Sequence, residues 1–201
     1  MPESDHHYGI GMYNQHLILD QAALGVDTHS TFSGDLITQA RFWLQTVRLR
    51  LYNRVLDTFN VPSNNPMSVN QAFMLLTRNG AMALRRDDLG VIAPGAKADI
   101  AVFRGDSPNM IGWEDPVAAV ILHSNVGDIE HVLVDGKFVK RDGELVGLDK
   151  DMKERFMASA RRIQGVLAAT PVIALDGAFL EGSEYVVADT ADVLRGPGNG
   201  Y

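Results

Sequence analysis

The 201-residue sequence contains no cysteine, which excludes disulfides, thiolate-ligated metal and a thiol nucleophile. That absence fits a reducing compartment. Positive charge is short as well: 18 Lys and Arg stand against 25 Asp and Glu, a formal net charge of -7. Such a balance leaves no clustered cationic footprint for a nucleic-acid backbone. Long apolar runs are also missing. No stretch approaches the ~20 consecutive apolar residues of a transmembrane helix. The opening Met-Pro-Glu-Ser-Asp-His-His has neither the basic region nor the apolar run of a signal peptide. The expectation is a soluble protein of the cytoplasm with no nucleic-acid and no membrane partner. No Gly-x-Ser-x-Gly elbow and no phosphate-cradling Gly-rich loop occurs, and Asp27, His29 and Ser30 lie too close in sequence for a nucleophilic triad.

What is present suffices for a core. Hydrophobic residues make up 46% and charged residues 21% of the chain, close to the average for soluble domains. The run 24–26 is apolar and meets Asp27 and then a polar cluster, as the end of a buried strand opening into a loop does. From 33 to 59, Leu36, Ala40, Trp43, Val47, Leu51 and Val55 recur at helical spacing, with Ser33 as the expected N-cap. Residues 60–67 hold Pro62 and Pro66 and read as a linker. Ser68 and Gln71 then match a capping box, which predicts a second helix carrying Ala72, Leu75, Leu76, Met82 and Leu84 inward, with Asn79-Gly80 as an interruption.

After Gly90 the period changes to two. Residues 98–103 alternate, and 116–123 form a second run rich in β-branched residues, read as strand. Asp135-Gly136 between two apolar runs is a hairpin signal, and Asp142-Gly143 marks the next turn. Residues 150–169 return to helix, with Met152, Phe156, Ala160, Ile163 and Leu167 as the expected buried stripe.

Three segments in this order resemble the amidohydrolase superfamily, in particular its guanine deaminase and chlorohydrolase branch. The first is 24–30 (Leu-Gly-Val-Asp-Thr-His-Ser) followed by a long helix. The second is 77–84 (Thr-Arg-Asn-Gly-Ala-Met-Ala-Leu) with 89–100, which contains Gly90, Pro94, Gly95 and Lys97-Ala98-Asp99. The third runs from Pro116 through Asp135-Gly136 to Asp142-Gly143. The resemblance implies an α/β fold: the C-terminal part of a (β/α)8 barrel over 1–88, strands of a small β-sandwich over 89–147, a closing helix over 148–170 and a loosely ordered tail over 171–201.

The resemblance further implies a hydrolase of carbon–nitrogen bonds other than peptide bonds, acting by deamination or dechlorination on a small molecule. In such enzymes a divalent metal, zinc or iron, sits in a cup of ligands at the C-terminal ends of the strands. Asp27 is the implied metal ligand and general base, and His29 is a candidate substrate-pocket residue that also reads as an ordinary loop position. A hydrolytic metal site commonly takes three protein ligands. None of the six histidines forms a His-x-His pair, and His6 and His7 are adjacent. The expectation is therefore that this chain alone does not hold the metal and is inactive. The alternatives are a non-catalytic module that self-associates through exposed apolar helix faces, or a half that needs a complementing chain.

Overall fold

The computed structural model describes residues 22–26, 33–149, 151–172 and 175–187. The chain divides into two compact units, Met1–Leu148 and Asp149–Tyr201.

The first unit begins with helix α1, Leu36–Leu56. Its N-cap is Asp35 rather than Ser33: the Asp35 carboxylate accepts the Thr38 amide at 2.7 Å and also takes the Ser33 hydroxyl at 2.5 Å. A carboxylate has the stronger acceptor and suits the helix dipole, so Ser33 becomes a support for the cap. One face of α1 (Ala40, Trp43, Leu44 and Val47) is buried against Met67, Ala72, Leu75 and Ile121. Leu36, expected inside, is partly exposed, and Ile37 and Leu44 are buried instead. Fully burying side chains such as Leu44 and Ile121 contributes roughly 1.5–3 kcal/mol each.

Helix α2, Val69–Leu76, starts at the expected capping box, in which Ser68 and Gln71 bond each other's backbone amides. The chain breaks at Thr77, with φ -120 and ψ -96, and resumes as α3, Arg78–Ala83. Arg41 and Arg48 tie the layer together from α1. Arg41 donates to the carbonyls of Ile121 and Ser124, and Arg48 donates to that of Met67.

Strand β1 is Ile100–Phe103. The next apolar run, expected as strand, is helix α4, Pro116–Leu122. Asp115 accepts the amides of Val117 and Ala118 at 2.8 and 3.0 Å, and Pro116 occupies the first turn, where its missing N–H costs nothing. These start signals outweigh the β propensity of Val117, Val120 and Ile121. A 3-10 turn, Val126–Asp128, leads into β2, Ile129–Val134, followed by β3, Lys137–Arg141, and β4, Glu144–Leu145.

The four strands form one antiparallel sheet in the order β1-β2-β3-β4, with Ile100 opposite Leu133 and Val134 opposite Lys137. Both expected turns are present. Asp135 and Gly136 take φ of 47 and 77, and Asp142 and Gly143 take 51 and 83, as tight primed turns require. The first turn is held from the entry to β1: Lys97 pairs with Asp135 at 2.8 Å, and Gly136 N–H donates to the Ala98 carbonyl. Among the described residues of this unit no second sheet faces this one.

In the second unit, α5 spans Met152–Ala169 as expected, but none of its residues is buried. The only other described element there is a small hairpin, β5 (Ala178–Leu180) and β6 (Ser183–Glu184), too short to cover the helix's apolar stripe. No described helix is long and apolar enough to cross a membrane.

Candidate functional site

Asp27 and His29 lie outside the described residues, as do His6, His7 and His16. The frame on either side of Asp27 is described. Upstream, Ala22 and Leu24 pack against the helical core. The Leu24 amide donates to the Leu75 carbonyl at 3.1 Å, and the side-chain amide of Asn79 donates to the Ala22 carbonyl at 2.8 Å. Residues 22–26 pair with no strand among the described residues. Their anchor is the junction between α2 and α3, where the Thr77 hydroxyl donates to the Phe73 carbonyl at 2.8 Å.

Downstream, the chain is fixed again at the α1 cap. Gln39 donates to the Ser33 carbonyl at 3.3 Å, and Asp35 is held by Ser33 and Thr38. Burial pushes the Asp35 carboxyl up, but the hydrogen bonds from Ser33 and Thr38 outweigh it and hold it below its usual 3.8. Six residues, 27–32, therefore connect two fixed ends.

The remaining histidines of the first unit are not grouped. His123, expected in a strand, is the exposed C-cap of α4. His131 lies on β2 as expected, where its Nδ1 accepts the Asp142 amide at 3.1 Å and its ring meets Phe138 edge-on at 5.8 Å. That ring is held as part of the hairpin. Among the described residues no three His, Asp or Glu side chains converge into a set able to hold a metal ion. The described residues do not by themselves fit such a centre.

A groove of about 530 Å³ lies between the helices and the sheet, lined by residues that include Asp35, Phe73, Leu76, Ile92, Asp99 and Ile100. Its carboxylates are already engaged. Asp35 caps α1, and Asp99 accepts the Asp135 amide at 2.7 Å. A substrate pocket needs polar groups aimed into it, and these two serve the fold.

The Asn79 contact to Ala22 was not expected from the sequence, in which Asn79-Gly80 reads only as a helix interruption. The available signal was a polar amide set one residue past the start of α3, within a run of apolar and small residues.

Comparison with known proteins places this frame. A model described as Amidohydrolase family matches residues 14–139. The 5'-deoxyadenosine deaminase of Methanothermobacter thermautotrophicus is 32% identical over 112 residues, covering 55% of this chain and 26% of that protein. The 8-oxoguanine deaminase of Pseudomonas aeruginosa is 32% identical over 127 residues, covering 63% of this chain and 26% of that protein. Among solved structures, the zinc complex of atrazine chlorohydrolase TrzN from Arthrobacter aurescens TC1 is 25% identical with a TM-score of 0.51, over 63% of this chain and 26% of that one. An amidohydrolase from a Sargasso Sea environmental sample shares the fold at a TM-score of 0.56 and 24% identity, over 81% of this chain and 36% of that one. The chain thus spans about a quarter of the length of the two deaminases.

Proposed function

The chain belongs to the amidohydrolase family, and from that premise we propose that it carries one catalytic carboxylate, Asp27, and the closing sheet of a hydrolase acting on carbon–nitrogen bonds other than peptide bonds. The reading rests on one observation: the family match spans residues 14–139, from before Asp27 to β3. That the two deaminases named above are purine deaminases favours release of ammonia from a purine or purine nucleoside over dechlorination.

In this reading a divalent metal, zinc or iron, would be held by Asp27 together with ligands outside the described residues, and would supply an acidified water. The chain's own part is Asp27, which takes a proton from the attacking water and returns it to the departing nitrogen. His29 borders the substrate. The sequence holds no His-x-His pair, so the remaining ligands come from polypeptide other than the described residues, and the isolated chain is inactive.

The test mixes the 201-residue chain with zinc, 5'-deoxyadenosine and the part of the Methanothermobacter deaminase that lies outside the match, and measures ammonia. The expected result is ammonia from the mixture and none from either piece. Asp27→Asn should lower the restored rate by roughly 10²–10⁴-fold. A restored rate unaffected by Asp27→Asn refutes the assignment.

A second reading, association of this chain with copies of itself, is favoured by a specific observation. Phe42, Leu49 and Leu56 lie exposed along the outer face of α1.

A further inference from the structure

Three Asp-Gly pairs stand in the chain: Asp135-Gly136, Asp142-Gly143 and Asp176-Gly177. A glycine after an aspartate leaves the peptide nitrogen with no side chain to shield it, so each pair can close on itself. The glycine nitrogen attacks the aspartate Cγ, and its proton leaves with the carboxyl's hydroxyl as one water. A second water opens the succinimide ring that results. Attack at the Cγ carbonyl restores aspartate, whereas attack at the former main-chain carbonyl gives isoaspartate, whose backbone runs through Cβ. No other reactant is needed. All three aspartates are exposed, so access to solvent does not choose between them. The state of the glycine nitrogen does.

Two of the nitrogens are occupied. Gly136 N–H donates to the Ala98 carbonyl at 3.0 Å, and the Asp135 carboxylate is turned to Lys97 at 2.8 Å. Gly143 N–H donates to the Glu130 carbonyl at 2.9 Å, and the Asp142 amide beside it donates to His131 Nδ1. Both turns belong to the four-stranded sheet, which must open locally before either nitrogen leaves its acceptor.

The third pair lies at the foot of the β5–β6 hairpin. The Gly177 carbonyl accepts the Tyr185 amide at 2.9 Å, but the Gly177 N–H meets no acceptor among the described residues. A Cβ placed on Gly177 would find nothing within 4 Å, so the space around it is open. Strands of three and two residues make a hairpin that is only marginally stable in water. Little holds the Asp176 carboxyl away from the Gly177 nitrogen.

From this contrast we propose that Asp176-Gly177 is a self-modifying site, where aspartate converts to isoaspartate while the sheet keeps Asp135 and Asp142 unchanged. The conversion inserts one carbon into the backbone just before β5. It draws the Gly177 carbonyl off the Tyr185 amide and loosens the hairpin, and the converted fraction rises with the age of the chain.

The test incubates the 201-residue chain in heavy-oxygen water at neutral pH. Peptides cut afterwards in ordinary water are weighed by mass spectrometry. Each ring opening leaves one heavy oxygen at the pair, and electron-transfer fragmentation identifies the isoaspartyl form. Uptake at Asp176 should run at least about tenfold faster than at Asp135 and Asp142. In urea, with the hydrogen bonds of the sheet gone, the three rates should converge. Asp176→Glu, which would have to close a slower six-membered ring, should abolish uptake at that position and leave the other two as they were. Equal uptake at all three pairs of the folded chain overturns the inference. So does a preference for Asp176 that persists undiminished in urea, because it would then belong to the neighbouring sequence and not to the fold.

Discussion

Asp128 shows how a single buried carboxylate makes stability depend on pH. It is 5% exposed, at the end of the 3-10 turn before β2. Its Oδ2 accepts the Asn125 amide at 2.8 Å and the Asn109 side-chain amide at 3.1 Å, and the Ser107 hydroxyl lies against it. Burial pushes this carboxyl up, yet the neighbouring Ser107 hydroxyl and the hydrogen bonds from Asn125 and Asn109 outweigh it, with help from Arg104, and hold it below 3.8. A group whose folded value is depressed adds stability that is present above the unfolded value and is lost as pH falls through the folded one. Asp128→Asn should therefore cost roughly 1–3 kcal/mol at neutral pH. The gap between the urea midpoints of the two proteins should narrow as pH drops below about 4. A gap that stays constant into strong acid contradicts this account. Asn125 and Asp128 form a local capping box, but the other partners, Ser107 and Asn109, are linked to Asp128 by no local pattern in the sequence.

At the scale of elements, the turns were legible and the helix–strand choice was not always so. Asp135-Gly136, Asp142-Gly143 and the Ser68 capping box are local signals, and each appears where the residues put it. The run 116–122 was misread because its apolar pattern fits either structure; Asp115 followed by Pro116 carried the helix start, and those two outrank β-branched propensity. The α5 helix was legible, but its burial was not, since periodicity reports a face and not what covers it. For the site, the sequence offers only the motif around Asp27 and His29, which lie outside the described residues; the contact of Asn79 with Ala22 joins residues 57 apart, which no local pattern announces.

The glycines flanking the entry to β1 give a paired test at this scale. Gly90 and Gly95 both have positive φ, 70 and 87. A Cβ on Gly90 would stand 2.8 Å from the Arg78 Cα, whereas one on Gly95 meets nothing within 4 Å. Gly95→Ala thus carries only the left-handed backbone penalty, about 1–2 kcal/mol. Gly90→Ala adds a backbone clash that cannot rotate away, for a total of roughly 2–5 kcal/mol. Urea unfolding of the two variants checks the order; equal costs would show that the 87–90 loop yields freely to Arg78.

Over the whole molecule, exposed apolar surface opposes net charge. Phe42, Leu49 and Leu56 follow one another seven residues apart along the outer face of α1, at 44%, 61% and 51% exposure, and Phe59 beyond the helix is fully exposed. Seven residues is close to two helical turns, so these side chains form one stripe away from the core. A stripe of this kind favours association. The net charge of -7 resists it. At physiological ionic strength repulsion is screened beyond ~8 Å, while burial of apolar side chains is not weakened by salt, so association between copies should prevail and should strengthen as salt is raised. Sedimentation velocity over a range of protein and salt concentrations measures this. The expected outcome is a species heavier than 22.0 kDa that grows with both, and a shift back to monomer in the Leu49→Glu, Leu56→Glu double variant with its melting temperature little changed, because both positions are exposed in the single chain. A wild-type chain that stays monomeric throughout shows that the stripe is tolerated alone, and leaves the catalytic reading as the sole account of the fold's use.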